Sequence, residues 1–214
     1  MRSPHAQRLA RLRGLYGIVD DGSPLDPVAW ARALASGGAR AIQLRFKRTP
    51  PRAAIEIGRA VRAACPGVLL LLNDRPDLAL LCDADGVHVG EEDLSPADAR
   101  RVVGPDRLVG ATARGVGEAR AAIASGADHL GVGPIFPSAT KPLAVRPLGL
   151  DGLAAVVRAL APSPVVAISG IDGENVASVA QTGCAAAAVI GAIGGAADPE
   201  AAARTIARAF EASR

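Results

Sequence analysis

Short apolar runs punctuate the chain from end to end: LYGIV (15–19), AIQLR (41–45), GVLLLL (67–72), GVHV (86–89), RLVGA (107–111), HLGVG (129–133), PVVAI (164–168) and AAAVI (186–190). Several are apolar at successive positions, the pattern of parallel strands covered on both faces. Between them lie Ala- and Arg-rich stretches with helical spacing, among them DPVAWARALASGG, PRAAIEIGRAVRAAC, SPADARRVV, GVGEARAAIASGA, GLDGLAAVVRAL and DPEAAARTIARAFEASR. Eight alternating units in 214 residues predict an α/β protein, a single-domain (β/α)8 TIM barrel over 1–214, ahead of an open doubly wound sheet. No linker divides the chain. Residues 1–13, Arg-rich and of low complexity, are expected to fray as an N-terminal extension.

Composition narrows the classes. Apolar residues make up 50% of the chain, which excludes a disordered one, but aromatics are only 2%, so the core must be built from small aliphatic groups packed closely. No apolar run approaches the roughly 18 to 20 residues that span a bilayer, and the basic start leads into no hydrophobic signal region, so a soluble cytoplasmic protein is expected. The formal charge is +3, yet the basic residues are scattered among acids without aromatic platforms, which argues against a nucleic-acid partner. Cys65, Cys82 and Cys184 have neither disulfide nor metal spacing and are read as buried small hydrophobes. Of the 24 basic residues, all but Lys47 and Lys141 are Arg, so those two positions are candidates for needing a compact ammonium rather than a planar fork.

Barrel active sites lie at the C-terminal ends of the strands. The polar residues there are Gln43, Arg45 and Lys47 after the second strand, Asn73, Asp74 and Arg75 after the third, and Glu91, Glu92 and Asp93 after the fourth. Thr112 follows the fifth, and Ser138, Thr140 and Lys141 lie in the long aperiodic segment FPSATKPLAVRP after the sixth. Alternation in QLRFK puts Gln43, Arg45 and Lys47 on one face of an extended segment. Asp74 and Asp93 beside several cations suggest Mg²⁺ shared with a polyphosphate, since Mg²⁺ is commonly held by one or two carboxylates plus substrate phosphates. Each of these carboxylates could instead pair with a neighbour or cap a helix. The glycine-bearing turns at Ser169-Gly170 and Gly191 suit a phosphate, because a glycine lets backbone N–H groups approach it. Gly131-Val132-Gly133 lacks the third glycine of a dinucleotide fingerprint. His88 and His129 fall inside strand runs and are read as satisfied core histidines.

The segments QLRFK (43–47), NDRPDLAL (73–80), ADGVHVGEEDL (84–94), VGAT (109–112), GADHLGVGPIFPSATK (126–141) and VVAISGI (165–171) together resemble the thiamine-phosphate synthase family, also called thiamine-phosphate pyrophosphorylase. The resemblance implies a (β/α)8 barrel that joins 4-amino-5-hydroxymethyl-2-methylpyrimidine diphosphate to 4-methyl-5-(2-phosphoethyl)thiazole, releasing pyrophosphate. It implies that Gln43 and Thr112 contact the pyrimidine, that Arg45, Lys47, Asn73 and Lys141 contact the diphosphate, and that Asp74 and Asp93 ligate Mg²⁺. It further implies that Ser138 and Thr140 hold the thiazole phosphate and pyrophosphate, with Gly170 and Gly191 as a backbone cradle. Arg45, Lys47 and Lys141 would be the catalytic charges. Two positions depart from the family pattern: Ser169 stands where Gly is usual, and Gly191 where Ser is frequent. The alternatives are a thiazole tautomerase-like relative, which would lack the full set of Lys47, Asp74, Asp93 and Lys141, and a non-catalytic barrel that binds phosphate esters. The expected partners are small-molecule substrates, without nucleic acid or membrane, and nothing in the sequence argues against a homo-oligomer.

Overall fold

The computed structural model describes residues 3–137 and 146–214. Eight parallel strands close into a barrel in sequence order: β1 (Gly14–Asp20), β2 (Ala41–Arg45), β3 (Leu69–Asn73), β4 (Gly86–Val89), β5 (Leu108–Ala113), β6 (His129–Val132), β7 (Val165–Ile168) and β8 (Ala186–Val189), with β8 returning to β1. The helices of the outer ring are α2 (Pro27–Ser36), α3 (Pro51–Ala64), α4 (Pro76–Leu81), α5 (Pro96–Val103), α6 (Val116–Ala124), α7 (Gly149–Leu160), α8 (Val176–Ala180) and α10 (Pro199–Ala212), with the single turn α9 (Gly191–Gly194) after β8. The expected TIM barrel is the fold. Among the described residues, no helix is long and apolar enough to cross a membrane.

Local chemistry starts the helices. Asp26, Ser95 and Asp198 each accept a backbone N–H through the side chain and are each followed by proline, whose fixed φ suits the first helical position and whose missing N–H costs nothing there. Strand burial follows the pleat. One set of strand residues joins the helices in the main apolar core, while Tyr16, Ile18, Ala41, Leu69, Leu71, Leu108, Val166, Ala186 and Ala188 fill the barrel interior. Cys65, Cys82 and Cys184 are buried and free, as read from the sequence.

The N-terminal segment differs from expectation. Pro4–Arg11 form a helix, α1, capped by the Ser3 hydroxyl, rather than a frayed extension. Its polar side chains are held at the N-terminal end of the barrel. His5 contacts Asp128 at 2.9 Å, and Arg8 bonds both Asp85 and the Asp106 carbonyl at 3.0 Å. Asp85 and Asp128 each also accept a strand N–H, from Leu70 and Val109, so the same carboxylates tie α1 to the barrel rim. Leu12 then closes the interior from below. Composition alone could not show these long-range partners.

Candidate active site

The C-terminal mouth of the barrel opens into a cavity of about 710 Å³, a size suited to small-molecule ligands. Gln43, Arg45, Lys47, Asn73, Asp74, Asp93, Thr112, Gly170 and Gly191 all line it. Nine residues picked from six strand ends therefore converge on one space. Ser138, Thr140 and Lys141 lie outside the described residues.

Strand β2 delivers the first group. Gln43 is not the rim residue that alternation alone suggested: it is buried inside the barrel, and its amide donates to the Tyr16 hydroxyl at 3.0 Å. The correction has a simple cause, since Arg45 two residues on already occupies the rim and β2 enters the barrel below it. Burial pushes the Tyr16 phenol far above its ordinary range, so it stays neutral. Arg45 is ion-paired with Asp20 at the end of the neighbouring strand β1. Beyond the strand, Asp21 accepts the backbone N–H groups of Arg48 and Thr49 at 2.7 and 2.9 Å and the Thr49 hydroxyl at 3.0 Å, which organises the segment carrying Lys47.

Strands β3 and β4 bring the two carboxylates together. Asp74 has a φ of 63°, a left-handed conformation uncommon for a residue other than glycine and of a kind that gathers at functional sites. Its carboxylate pairs with Lys47 and lies beside that of Asp93, so Arg75 is not its partner; Arg75 bonds Asp77 instead. Asp93 also accepts the Gly90 N–H at 2.8 Å, and Ser95 rather than Asp93 caps α5. Burial and then the Asp93 carboxyl push Asp74 above the usual carboxylate range, against the pull of Lys47. Burial opposes ionisation of Asp93 too, but hydrogen bonding to Asp74 and the Gly90 amide, with the charge of Lys47, holds it below that range. The pair titrates as a unit. Among the described residues no group of three or more His, Cys, Asp or Glu side chains converges to hold a metal. Two adjacent carboxylates open to a cavity remain, a donor set that suits a hard divalent cation whose other ligands come from phosphate and water.

Thr112 lies within β5 rather than after it, and its hydroxyl meets His88 Nε2 at 3.1 Å. Both histidines line the cavity, so neither is simply a core residue. Among the described residues neither ring nitrogen of His129 finds a hydrogen-bond partner, contrary to the reading of it as satisfied. Burial pushes His88 down to about 4, against the charge of Asp93, and burial with the proximity of His88 pushes His129 down to about 3; both rings are neutral at neutral pH. On the far side, Ser169 and Gly170 have φ values of 84° and 67°. Serine is tolerated in this glycine-like conformation with its hydroxyl donating to the Phe136 carbonyl at 3.2 Å, whereas a Cβ at Gly170 would lie 2.5 Å from the Pro137 carbonyl oxygen.

The sequence profile of the thiamine monophosphate synthase family matches residues 15–193. The chain belongs to this family. It is 58% identical to the thiamine-phosphate synthase of Anaeromyxobacter dehalogenans over 99% of this chain and 94% of that one, and 49% identical to that of Myxococcus xanthus over 100% and 99%. The thiamine phosphate pyrophosphorylase of Pyrococcus furiosus superposes with a TM-score of 0.88 at 37% identity, covering 97% of this chain and 98% of that one. The family member described here is accordingly a transferase.

Sequence reasoning missed Tyr16, Asp20, His88, His129 and Arg114, all but Asp20 on the cavity wall. The signal for most was present: stepping back in twos from the rim residues leads from Asp20 through Ile18 to Tyr16 and from Gly90 to His88. Arg114, which pairs with Glu91 at 2.6 Å across the loops after β5 and β4, was signalled too, as the first residue after β5 and two on from Thr112.

Proposed function

We propose that this family member is a thiamine-phosphate synthase that condenses 4-amino-5-hydroxymethyl-2-methylpyrimidine diphosphate with 4-methyl-5-(2-phosphoethyl)thiazole, giving thiamine monophosphate and pyrophosphate. The observation that carries this reading is the convergence of Gln43, Arg45, Lys47, Asn73, Asp74, Asp93 and Thr112 on one cavity at the strand ends. The family membership and the printed names of its relatives support it.

The C–O bond between the pyrimidine methylene and the diphosphate breaks, and the electron pair leaves with pyrophosphate. The resulting cation is delocalised by the ring's amino group, and the thiazole nitrogen donates its lone pair to the methylene carbon. No covalent nucleophile or strong base is needed. Arg45 and Lys47 hold the diphosphate and meet its growing negative charge, which cations already fixed in place do better than water that must reorient. Lys141 is assigned the same role. Asp20 pins one edge of the Arg45 fork, leaving its remaining N–H groups for phosphate. Asn73 adds an amide donor beside them, and Gln43 and Thr112 orient the ring so that the reaction becomes one of positioning. Gly170 and Gly191 leave backbone room for the thiazole phosphate, with Ser138 and Thr140 assigned to the same end. Asp74 and Asp93 would hold Mg²⁺, which when bound neutralises diphosphate charge and stabilises the leaving group.

The test is to mix both substrates with the protein and Mg²⁺ and follow pyrophosphate and thiamine monophosphate. Equal amounts of both, with neither formed from one substrate alone, is the expected result. Binding of both substrates without pyrophosphate release would mean a carrier. Isomerisation of the thiazole phosphate without the pyrimidine would mean a tautomerase.

A further inference from the structure

One row across the barrel runs from His88 on β4 through Gly110 on β5 to His129 on β6, since His88 registers with Gly110 and Gly110 with His129. The central glycine is what lets the rings lean together. A Cβ at Gly110 would stand 2.3 Å from His129 Nε2 and 2.5 Å from His88 Nδ1, so these two nitrogens face one another across a single point above the strand. Gly131 makes the matching space on the other side, where a Cβ would lie 2.8 Å from His88 Cε1. His129 is fully buried, and neither of its nitrogens has a hydrogen-bond partner among the described residues. An unpaired buried polar group is rare enough in proteins to require an explanation. Both nitrogens lie within 2.5 Å of that one point, close enough for one water to bridge them, and a buried water needs such polar partners.

The consequence concerns Thr112. Its hydroxyl is bonded to His88 Nε2, and that bond has two polarities. If His88 carries its proton on Nε2, the ring donates and the Thr112 O–H is free to donate into the cavity. If the proton is on Nδ1, Thr112 donates to the ring and can offer a ligand only its lone pair. A neutral imidazole has one proton, so whatever engages Nδ1 decides. His129 Nε2 faces that atom. Neither nitrogen of His129 is bonded directly to an acceptor among the described residues, but Nε2 is the one that faces His88 Nδ1 across the shared space, and an N–H left without an acceptor is less tolerated than a bare lone pair, so the His129 proton is placed on Nε2.

We infer that His129 is a positioning residue: through the shared space above Gly110 it donates toward His88 Nδ1, holds His88 as the Nε2–H tautomer, and so turns the Thr112 hydroxyl into a donor for a ring nitrogen of the pyrimidine substrate. Gln43 complements it, because its amide N–H is engaged by Tyr16 and its carbonyl is left to accept from an amino group. This deepens the proposed function and rests on it for the identity of the ring. The chain of hydrogen bonds itself does not.

The chain has three histidines, which makes the tautomers directly readable. Nitrogen-15 imidazole spectra of the wild-type protein, assigned with single-histidine variants, should show His88 and His129 neutral and both as Nε2–H. In His129→Phe, His88 should shift toward the Nδ1–H form. KM for the pyrimidine diphosphate should rise about tenfold, the scale of one hydrogen bond. KM for the thiazole phosphate and inhibition by pyrophosphate should stay at wild-type values. His129→Gln, whose amide can place an N–H where Nε2 stands, should restore both the tautomer and KM. Wild-type His88 found as Nδ1–H would overturn the inference, and so would a folded His129→Phe protein with unchanged tautomer and pyrimidine KM. Should His129→Phe fail to fold, the wild-type spectrum and His129→Gln decide. A wild type that shows the expected tautomers but forms no thiamine monophosphate would refute the proposed function and leave the hydrogen-bonded chain standing.

Discussion

The hydrogen bond between Gln43 and Tyr16 ties the floor of the cavity to the core, and its removal has a calculable cost. Both residues are buried, at 4% and 2% exposure, and the Gln43 amide donates to the phenol oxygen at 3.0 Å. A hydrogen bond of this kind contributes about 0.5–1.5 kcal/mol net, and a buried partner left unpaired costs about 1–3 kcal/mol. Because the space vacated in Gln43→Ala opens to the cavity, water can enter and relieve part of the second cost, so about 1–2 kcal/mol is expected. For a chain of this size that lowers Tm by roughly 2–8 °C. Tyr16→Phe strands the Gln43 amide instead, with a similar loss. The double variant lacks both halves of the bond, so its destabilisation should fall short of the sum of the singles by about 1 kcal/mol. Thermal and urea unfolding of the four proteins close the cycle, and kinetics with the pyrimidine diphosphate should show a raised KM in Gln43→Ala. A Gln43→Ala protein that melts with wild type, or two singles that add without coupling, would show that this bond does not support the floor.

Replacing Lys141 by Ala should lower pyrophosphate release by on the order of 10² or more, and Lys141→Arg should be clearly impaired, because a planar fork does not fit the place of an ammonium. Melting should move little in either; near-normal turnover removes the residue from the mechanism, and a large fall in Tm makes its role structural. Asp74→Asn should abolish most turnover yet melt no lower than wild type in metal-free buffer at pH 7. The folded state raises the Asp74 pKa, so its ionised form is disfavoured by folding above that pKa, and asparagine removes the penalty while accepting the φ of 63°. A lower Tm would refute the sign of that argument. Acidification should weaken Mg²⁺ binding in the presence of pyrophosphate, measured by calorimetry, starting above the pH at which an ordinary aspartate protonates, because Asp74 takes up a proton first. Affinity that holds until ordinary aspartates titrate would show that Asp74 is not a ligand.

Much of this molecule is written in short-range patterns. The strands AIQLR and GVHV were bounded to the residue, and helices opened by Asp26-Pro27, Ser95-Pro96 and Asp198-Pro199 carry their start signals locally, because caps and prolines act on the nearest few backbone groups. The short helices α4, α8 and α9 were not legible, having too few turns to show a period. The rim residues were legible as types: charged groups after parallel strands have one end of the barrel to occupy. What only the tertiary structure decided is which neighbours they have. Gln43 proved to be buried because Arg45 takes the rim, α1 is ordered because Asp85 and Asp128 lie far along the chain, and His129 became a residue in search of a partner because a glycine on the next strand admits His88 beside it. Burial and pairing depend on the closing of the barrel, which brings together residues that no local pattern relates.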